Sequence, residues 1–463
     1  MAAKHKRVNL AIIVLTFCLS GTFSRCEAQV EADNQAPAQQ ELIETVTDEQ
    51  VEQAVNAGVN RLIELQHEDG AWPYEGVYRV RGRIPVGYRI GGTAIVCEAI
   101  MYGASADSEP ANEAIGRGVD LIIEEMKNPL MQPSTRNTYD VRVWGHIYAL
   151  DFFCRLLHDG RFADREEALR EQVSWLTAAL LTEQLDDGGW NYAGRDDHAP
   201  FVTAPAVQAL LWAADTGEEV DPAVFANAVA ALNISRGEGG AMAYSGESSG
   251  SFMNRLPGSI ARTAASEFAI HLTGEDRSTE IAEAIDHFHT HWDELEKRRK
   301  QTGTHVRPYG IAPYYFYYGH RYVGQAIAGL PEDDRAAEIA RFNTILMKTR
   351  DEDATWNDRV FEQSNAYGTA MAILGLLGEK VPVATNSEQS GIAIVLIDAD
   401  GSMKFDAMEV SEEQLTEALG REERVEKVII RVDAATHYGK VVAAMQVINL
   451  ALPDAEVEVR VKE

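Results

Sequence analysis

Pairs of helix-like segments recur along most of the sequence, and this repetition constrains the fold more than any other feature. The first member of each pair has an apolar stripe at helical spacing, as Val51, Val55, Val59 and Leu62 illustrate. The second member is apolar nearly all round and therefore has to be buried on every side. Predicted outer helices are 49–66, 111–126, 166–184, 222–235, 279–297 and 333–349; predicted inner helices are 92–103, 143–157, 202–215, 262–273, 314–330 and 367–378. Six such pairs predict an all-α fold with two concentric rings of helices.

Short joints with a shared pattern, Gln-x3-Gly-x-Trp-x-Tyr, connect outer helices to inner ones. The glycine allows a tight turn, and the indole can cover the exposed end of the preceding helix. A Thr-Ala pair opens the inner helix after several joints, and the threonine is expected to cap that helix. The two complete copies contain Gln66, Gly70 and Trp72, and Gln184, Gly188 and Trp190, while Trp356 belongs to a decayed copy.

These joints resemble the QW motifs of squalene cyclases and of the related prenyltransferase/squalene-oxidase repeats, over residues 48–378. The resemblance implies a terpenoid-cyclase-like α6/α6 toroid. It also implies that the joint glutamines and tryptophans act as structural ties between repeats.

A change of pattern marks the end of the repeats. Residues 379–390 are predicted to be a linker, and 391–463 carry strand and helix signals in the order ββαβαβ, typical of a small α+β domain. Within it, Ile-Asp398-Ala-Asp400-Gly401 and Tyr438-Gly-Lys-Val-Val-Ala-Ala-Met445 resemble the periplasmic domain of the ExbD/TolR family. The resemblance implies an extracytoplasmic module that contacts an envelope protein or a cell-wall partner.

The N-terminus has the pattern of a signal peptide over residues 1–28. Lys4, Lys6 and Arg7 precede an apolar run, and small residues precede the expected cleavage site. The pattern predicts export to the periplasm or the medium, and it disfavours an uncleaved membrane anchor because the apolar run is short. The formal net charge of −30 argues against a nucleic-acid partner.

Known chemistry of toroid enzymes is missing from the sequence. Squalene cyclases carry an acidic Asp-x-Asp-Asp motif before a Thr-Ala helix start, and no aspartate lies in the corresponding positions here. Prenyltransferases bind zinc through an Asp-x-Cys pair, whereas Asp151-x-x-Cys154 has the wrong spacing, and the sequence predicts no metal site or cofactor. The leading hypothesis is therefore a non-catalytic toroid that binds a ligand or a partner.

Two enzymatic alternatives remain open at this stage. One is a periplasmic polysaccharide lyase or glycosidase that acts on an anionic glycan, and the other is a terpene cyclase. Candidate catalytic residues are Tyr139, Asp140, His146 and His198. Candidate ligand contacts at the predicted mouth of the toroid are Arg89, Arg142, Trp144, Arg262, Arg307 and Tyr309, which would favour an anionic small molecule or glycan. The structural alternative is that these residues satisfy one another within the loops.

Overall fold

The computed structural model describes residues 46–74, 83–134, 141–192, 196–385, 392–405, 408–420, 425, 427–433, 436–453 and 455–462. The expected signal peptide and the candidates Tyr139 and Asp140 lie outside these residues.

Helices alternate between an outer and an inner layer along the first part of the chain. In order they are α1 (Asp48–Glu64), α2 (Val86–Gly103), α3 (Glu109–Met126), α4 (Arg142–Asp159), α5 (Glu166–Glu183), α6 (Pro200–Asp215), α7 (Pro222–Ile234), α8 (Ile260–Leu272), α9 (Ser278–Thr290), α10 (Trp292–Glu296), α11 (Tyr315–Ala326), α12 (Glu332–Met347) and α13 (Ser364–Leu377). The inner helices α2, α4, α6, α8, α11 and α13 each pack against the next, and α13 returns to α2. This closed ring confirms the predicted α/α toroid.

Helix α2 begins at Val86, six residues before the predicted start at 92. The Thr93-Ala94 pair predicts the later start because it is expected to open the helix, whereas Gly91 and Gly92 lie inside it. Both glycines are required by close packing: a Cβ on Gly92 would lie 2.6 Å from the carbonyl oxygen of Trp72. The joint therefore lies directly against the inner helix.

The joint tryptophans are buried and close the ends of the outer helices. The indole N–H of Trp72 donates to the carbonyl of Leu62 at 2.7 Å, and that of Trp190 donates to Leu180 at 2.8 Å. Trp356 makes the equivalent bond at 3.3 Å. Each bond adds a donor to a carbonyl in the last turn of an outer helix, where intrahelical donors run out. The carbonyls of Leu62 and Leu346 also accept from the amides of Leu65 and Thr349.

The joint glutamines reach the next outer helix. Gln66 Nε2 donates to Ala114 O in α3 at 2.9 Å, and Gln184 Nε2 donates to Val224 O in α7 at 2.9 Å. The glycine of each complete copy has a positive φ, 89° at Gly70 and 96° at Gly188. The glutamine contacts therefore tie each repeat to the next one.

The threonines of the Thr-Ala pairs bind the joints, so the expectation that they cap the inner helices is wrong. Thr93, Thr203 and Thr369 lie inside α2, α6 and α13. Each hydroxyl accepts the backbone N–H of the joint tryptophan at 3.0 Å. The first turns of the inner helices extend beyond the threonines, and the capping position is occupied by other residues.

Four buried ionisable side chains fill the centre of the ring. Arg321 donates to both oxygens of Glu98, at 3.0 and 2.8 Å, and Arg155 donates to Asp151 at 3.0 Å. Longer ion pairs join Arg155 to Glu98 at 3.6 Å and Arg321 to Asp151 at 3.7 Å. Because the formal charges cancel, the inner helices meet around a neutral polar centre that water does not reach.

A mixed sheet with two helices forms the C-terminal domain. Its elements are β1 (Ile392–Ile397), β2 (Met403–Phe405), β3 (Met408–Val410), α14 (Glu412–Leu419), β4 (Lys427–Asp433), α15 (Tyr438–Ala451) and β5 (Glu456–Lys462). The strand order is β3-β2-β1-β4-β5, with β1, β4 and β5 parallel. The α+β prediction is confirmed, with the short strand β3 added to the expected order.

One face of this sheet packs on its own helices and the other packs on the toroid. Val428, Ile430 and Val432 belong to the small core with α14 and α15. Ile429 and Arg431 point to the opposite face and are also buried. There β1 lies against α7, and Arg431 Nη1 donates to the carbonyl of Asp187 at 3.3 Å.

The first part of the expected linker also packs on the toroid. Val381 and Ala384 are buried in the toroid core, and Arg155 donates to the carbonyl of Pro382 at 2.6 Å.

Replacing a joint tryptophan tests the ties. Trp190→Ala is expected to lower the free energy of unfolding by about 3–5 kcal/mol, since it removes a large buried side chain. Trp190→Phe keeps most of the ring but leaves the Leu180 carbonyl without its donor, and a loss of about 1–3 kcal/mol is expected. Urea unfolding followed by circular dichroism measures both. An unchanged midpoint for Trp190→Ala would contradict the assigned role.

Breaking the central ion cluster tests its contribution to stability. Arg321→Met leaves Glu98 buried without the guanidinium that donates to both of its oxygens. It is expected to lower the free energy of unfolding by about 3–5 kcal/mol. Arg170→Met is the matched control, because Arg170 pairs with Glu166 on an exposed helix face and such pairs contribute about 0–1 kcal/mol. Equal unfolding midpoints for the two variants would show that the cluster is not a stabilising feature.

Candidate functional site

A partly open cavity lies at the end of the toroid where the inner helices begin. Tyr88, Trp144 and Phe201 lie in the first turns of α2, α4 and α6, so their side chains converge at this end. Nine of the ten lining residues are aromatic. The lining consists of Tyr74, Tyr88, Val141, Trp144, Tyr192, Phe201, Tyr314, Tyr315, Tyr318 and Tyr367.

The aromatic side chains of the cavity pack against one another as a preformed wall. The ring centroids of Tyr74 and Tyr367 lie 4.2 Å apart, and Trp144 meets Tyr88 edge to face at 5.2 Å. Phe201 meets Tyr315 edge to face at 5.6 Å. Such contacts favour defined orientations of these rings.

Three aromatic side chains offer accessible surface. Trp144, Phe201 and Tyr314 are half-buried, whereas Tyr74, Tyr88 and the other lining tyrosines are buried. Trp144 lies against the backbone of α2, since a Cβ on Gly91 would be only 2.5 Å from the indole. A ligand in the cavity would therefore meet these three rings first.

Two further tyrosines pack behind the lining, Tyr148 against Trp144 and Tyr322 against Tyr318. The hydroxyls of Tyr148 and Tyr322 lie 3.3 Å apart, and the guanidinium of Arg321 lies 5.7 and 5.3 Å from the two ring centroids. Burial raises the pKa of Tyr148, and burial likewise raises the pKa of Tyr318. These phenols stay protonated and uncharged at neutral pH.

A tyrosine–histidine pair lies at the rim. His305 Nδ1–H donates to the carbonyl of Gly310 at 2.7 Å, so Nε2 accepts from the Tyr314 hydroxyl at 2.8 Å. Burial lowers the pKa of His305, and Arg262 adds to that effect while the bond to Gly310 opposes it. The imidazole is therefore neutral at pH 7 and can act as an acceptor.

The lining tyrosines of the joints follow from the repeat. Tyr74 and Tyr192 stand two residues after Trp72 and Trp190, and both line the cavity. The indole faces the outer helix and the phenol faces the cavity. The repeated Trp-x-Tyr spacing of the joints is the sequence signal that links Tyr74 and Tyr192 as equivalent positions.

Two expected ligand arginines point away from the cavity. Arg89 binds Asp69 at 2.9 Å and Glu125 at 3.0 Å, on the outer side of α2. Arg142 is buried and donates to the carbonyl of Gln132. Neither belongs to the lining, because acceptors in the neighbouring loops and outer helices bind their guanidiniums.

Of the remaining expected ligand residues, one lines the cavity and three do not. Trp144 lines the cavity. Arg262 is buried among backbone carbonyls, with bonds of 3.0 Å to Met242 and 2.9 Å to Gly258. Arg307 is exposed and lies over the Phe252 ring at 4.6 Å, and Tyr309 is outside the lining. None of the four arginines, Arg89, Arg142, Arg262 and Arg307, is among the described lining residues.

The candidate catalytic histidines are buried behind the cavity wall. His146 binds Glu183 Oε2 and the carbonyl of Met131, each at 2.9 Å. Both of its ring nitrogens are therefore engaged, in contacts that tie α4 to α5 and to the preceding loop. No hydrogen of this side chain is available to a ligand in the cavity.

His198 contacts Asp187 and Ser235, each at 2.7 Å. Burial opposes ionisation of Asp187, but the hydrogen bonds from His198 hold the pKa of Asp187 below its usual range. The Asp-His-Ser order is that of a nucleophilic triad, yet Ser235 is fully buried and donates to the carbonyl of Gly246 at 2.6 Å. The arrangement joins two loops and has no access for a substrate.

Within the described part of the chain, no cluster of His, Cys, Asp and Glu side chains is arranged to hold a metal ion. The helices of the same residues include none with the length and apolarity needed to span a membrane.

Comparisons with solved structures give toroids of low sequence identity. The α-1,6-mannanase GH76A of Salegentibacter sp. HEL1_6, in complex with α-1,6-mannotetrose, is 11% identical over 72% of this chain and 99% of that chain, with a TM-score of 0.49. A glycosyl hydrolase family 88 protein from Bacteroides vulgatus is 12% identical over 73% and 99%, with a TM-score of 0.45. The type II terpene cyclase MstE from Scytonema is 14% identical over 71% and 97%, with a TM-score of 0.42.

No curated relative matches the sequence. The family model described as biopolymer transport protein ExbD/TolR matches residues 373–460, from the end of α13 through most of β5. The chain thus joins an α/α toroid to a C-terminal domain of ExbD/TolR type.

Proposed function

We propose that this protein is an exported cell-envelope protein whose toroid binds a neutral glycan without catalysing a reaction. The observation that carries the proposal is the composition of the cavity: of the ten described residues that line it, nine are aromatic and none is charged. An ordinary ligand pocket is likewise mostly apolar, with a few polar groups that orient the ligand.

Sugar rings suit this cavity better than anions do. The C–H faces of a pyranose can stack on Trp144, Phe201 and Tyr314, and its hydroxyls can bond to the phenols of the wall. An anionic glycan would need cations in the lining, whereas the guanidiniums of Arg89 and Arg262 are bound by other protein groups. The ligand class inferred is therefore a neutral oligosaccharide.

The described lining residues do not include the groups that catalysis on a glycan or an isoprenoid requires. Glycosidases need two carboxyl groups that flank the bond to be cleaved. A lyase needs a cation that neutralises a uronate, and a cyclase needs a strong acid facing its substrate. None of these is among the ten lining residues.

A lyase remains the second candidate because of one observation. The Tyr314 hydroxyl lies 2.8 Å from a neutral imidazole nitrogen of His305, an arrangement that can accept and pass on a proton. A lyase would release an unsaturated product from a uronate polymer, which absorbs in the ultraviolet. Sustained formation of that product, and its loss in His305→Gln, would favour the enzyme over the binding protein.

The C-terminal domain supports the envelope assignment. Its ExbD/TolR-type sequence and the exposed apolar side chains Tyr438 and Leu450 on α15 suit contact with an envelope protein or a cell-wall partner. The basic and apolar pattern of residues 1–28 supports export. The toroid would then present its glycan site outside the cytoplasm.

Removing an accessible ring tests the binding proposal. Trp144→Ala and Phe201→Ala are each expected to weaken binding of a neutral oligosaccharide at least about tenfold, the equivalent of roughly 1.4 kcal/mol. Isothermal titration with cellohexaose, xylohexaose and chitohexaose measures the affinities. Trp175→Ala is the matched control, because Trp175 lies on α5, where it packs against His146 of α4 and is outside the lining. Unchanged affinity in both cavity variants would contradict the proposal.

A further inference from the structure

A buried acid and a buried guanidinium adjoin each other in the joint before α13. Asp358 is 0% exposed and Arg359 is 3% exposed. Neither carboxylate oxygen of Asp358 makes a hydrogen bond of good geometry, and the same is true of Arg359 Nε and Nη1. Buried ionisable groups without partners cost free energy, so their retention in a folded protein requires a reason.

Both residues lie directly behind the aromatic wall. The guanidinium carbon of Arg359 is 5.9 Å from the ring centroid of Tyr314. Burial raises the pKa of Tyr74 and of Tyr367, and the nearby Asp358 carboxylate raises both further. Tyr74, Tyr314 and Tyr367 all line the cavity, so one section of the wall separates the pair from it.

Asp358 titrates near neutral pH. Burial raises its pKa to about 7, although Arg359, the Tyr317 amide and Arg299 oppose the shift. The titratable and charged groups around it are Arg359 on its own segment, Arg299 after α10, Tyr317 on α11, Tyr74 in the first joint and Tyr367 on α13.

We infer that Asp358 and Arg359 form a polar subsite behind Tyr314 that recognises adjacent hydroxyl groups of the glycan. The inference rests on the proposed function and adds the group that selects the ligand. Each sugar hydroxyl is both a donor and an acceptor, so one can donate to the carboxylate while its neighbour accepts from the guanidinium. The half-buried Tyr314 is the side chain that has to turn for the hydroxyls to reach the pair.

This arrangement makes binding depend on pH in a defined direction. The ionised carboxylate accepts hydroxyl hydrogens and the protonated form accepts them poorly, so the bound glycan favours the ionised form. Between pH 6 and pH 8 the ionised fraction of a group with a pKa of about 7 rises from about a tenth to about nine-tenths. Affinity should therefore rise about tenfold over this interval.

Asp358→Asn tests the subsite with the full-length protein. Titration of cellohexaose, xylohexaose and chitohexaose at pH 6, 7 and 8 should show the tenfold rise for wild type only, with the variant binding at least about tenfold more weakly at pH 8. Asp353→Asn is the matched control in the same joint, since Asp353 bonds locally to Thr355, and it should follow wild type. The Trp144→Ala protein is measured in parallel.

A measurement without ligand separates this role from a structural one. When folding raises the pKa of an acid, the folded protein becomes less stable as the pH rises from the unfolded-state pKa to the folded-state pKa. Above pH 7 the wild-type protein therefore bears the full free-energy cost of burying an ionised Asp358. Asp358→Asn removes this cost, so the variant should melt at a higher temperature than wild type at pH 8. A variant that melts lower at both pH 5 and pH 8 would show that Asp358 is held by ordered water or by protein, and would overturn the inference.

The outcomes distinguish the two proposals. If Trp144→Ala loses binding while Asp358→Asn keeps the affinity and pH profile of wild type, the glycan site stands and the subsite is wrong. If wild type binds none of the neutral oligosaccharides at any pH, both the proposed function and the assigned ligand of the subsite fail.

Discussion

The closed ring of inner helices is the constraint on which the rest of the molecule depends. Helices such as α2 and α13 have no polar face, so each needs apolar neighbours on every side, and only closure of α13 onto α2 provides them. Closure leaves a central axis that side chains have to fill. Glu98, Asp151, Arg155 and Arg321 fill one part of it with cancelling charges, and the tyrosine-rich wall lines the other.

The joints link this architecture to the cavity. In each complete copy the tryptophan closes the outer helix and the tyrosine two residues later faces the cavity. The same segment therefore holds neighbouring repeats together and supplies part of the binding wall. The second complete joint also carries the C-terminal domain, because Arg431 bonds to the carbonyl of Asp187. A ligand that shifted Tyr192 would act on a segment in direct contact with that domain.

Local pattern was enough to predict the helices, the ring, the joints and the C-terminal fold. Helical periodicity and the Gln-x3-Gly-x-Trp spacing are properties of residues close in sequence, so they can be recognised without knowledge of tertiary contacts. The partners of the arginines depend on tertiary contacts. Arg262 binds carbonyls at Met242 and Gly258, and Arg89 binds Glu125 on another helix. Without these contacts, cations at the correct end of the toroid were predicted to serve a ligand.

The central claim is that the cavity selects an uncharged glycan. Competition between cellohexaose and hexagalacturonate, followed by titration at low and at high salt, tests it most directly. The account predicts that the neutral hexamer binds more tightly and that its affinity does not change with salt, because no counterion is displaced from an uncharged lining. Tighter binding of the uronate with an affinity that falls steeply as salt rises would contradict it.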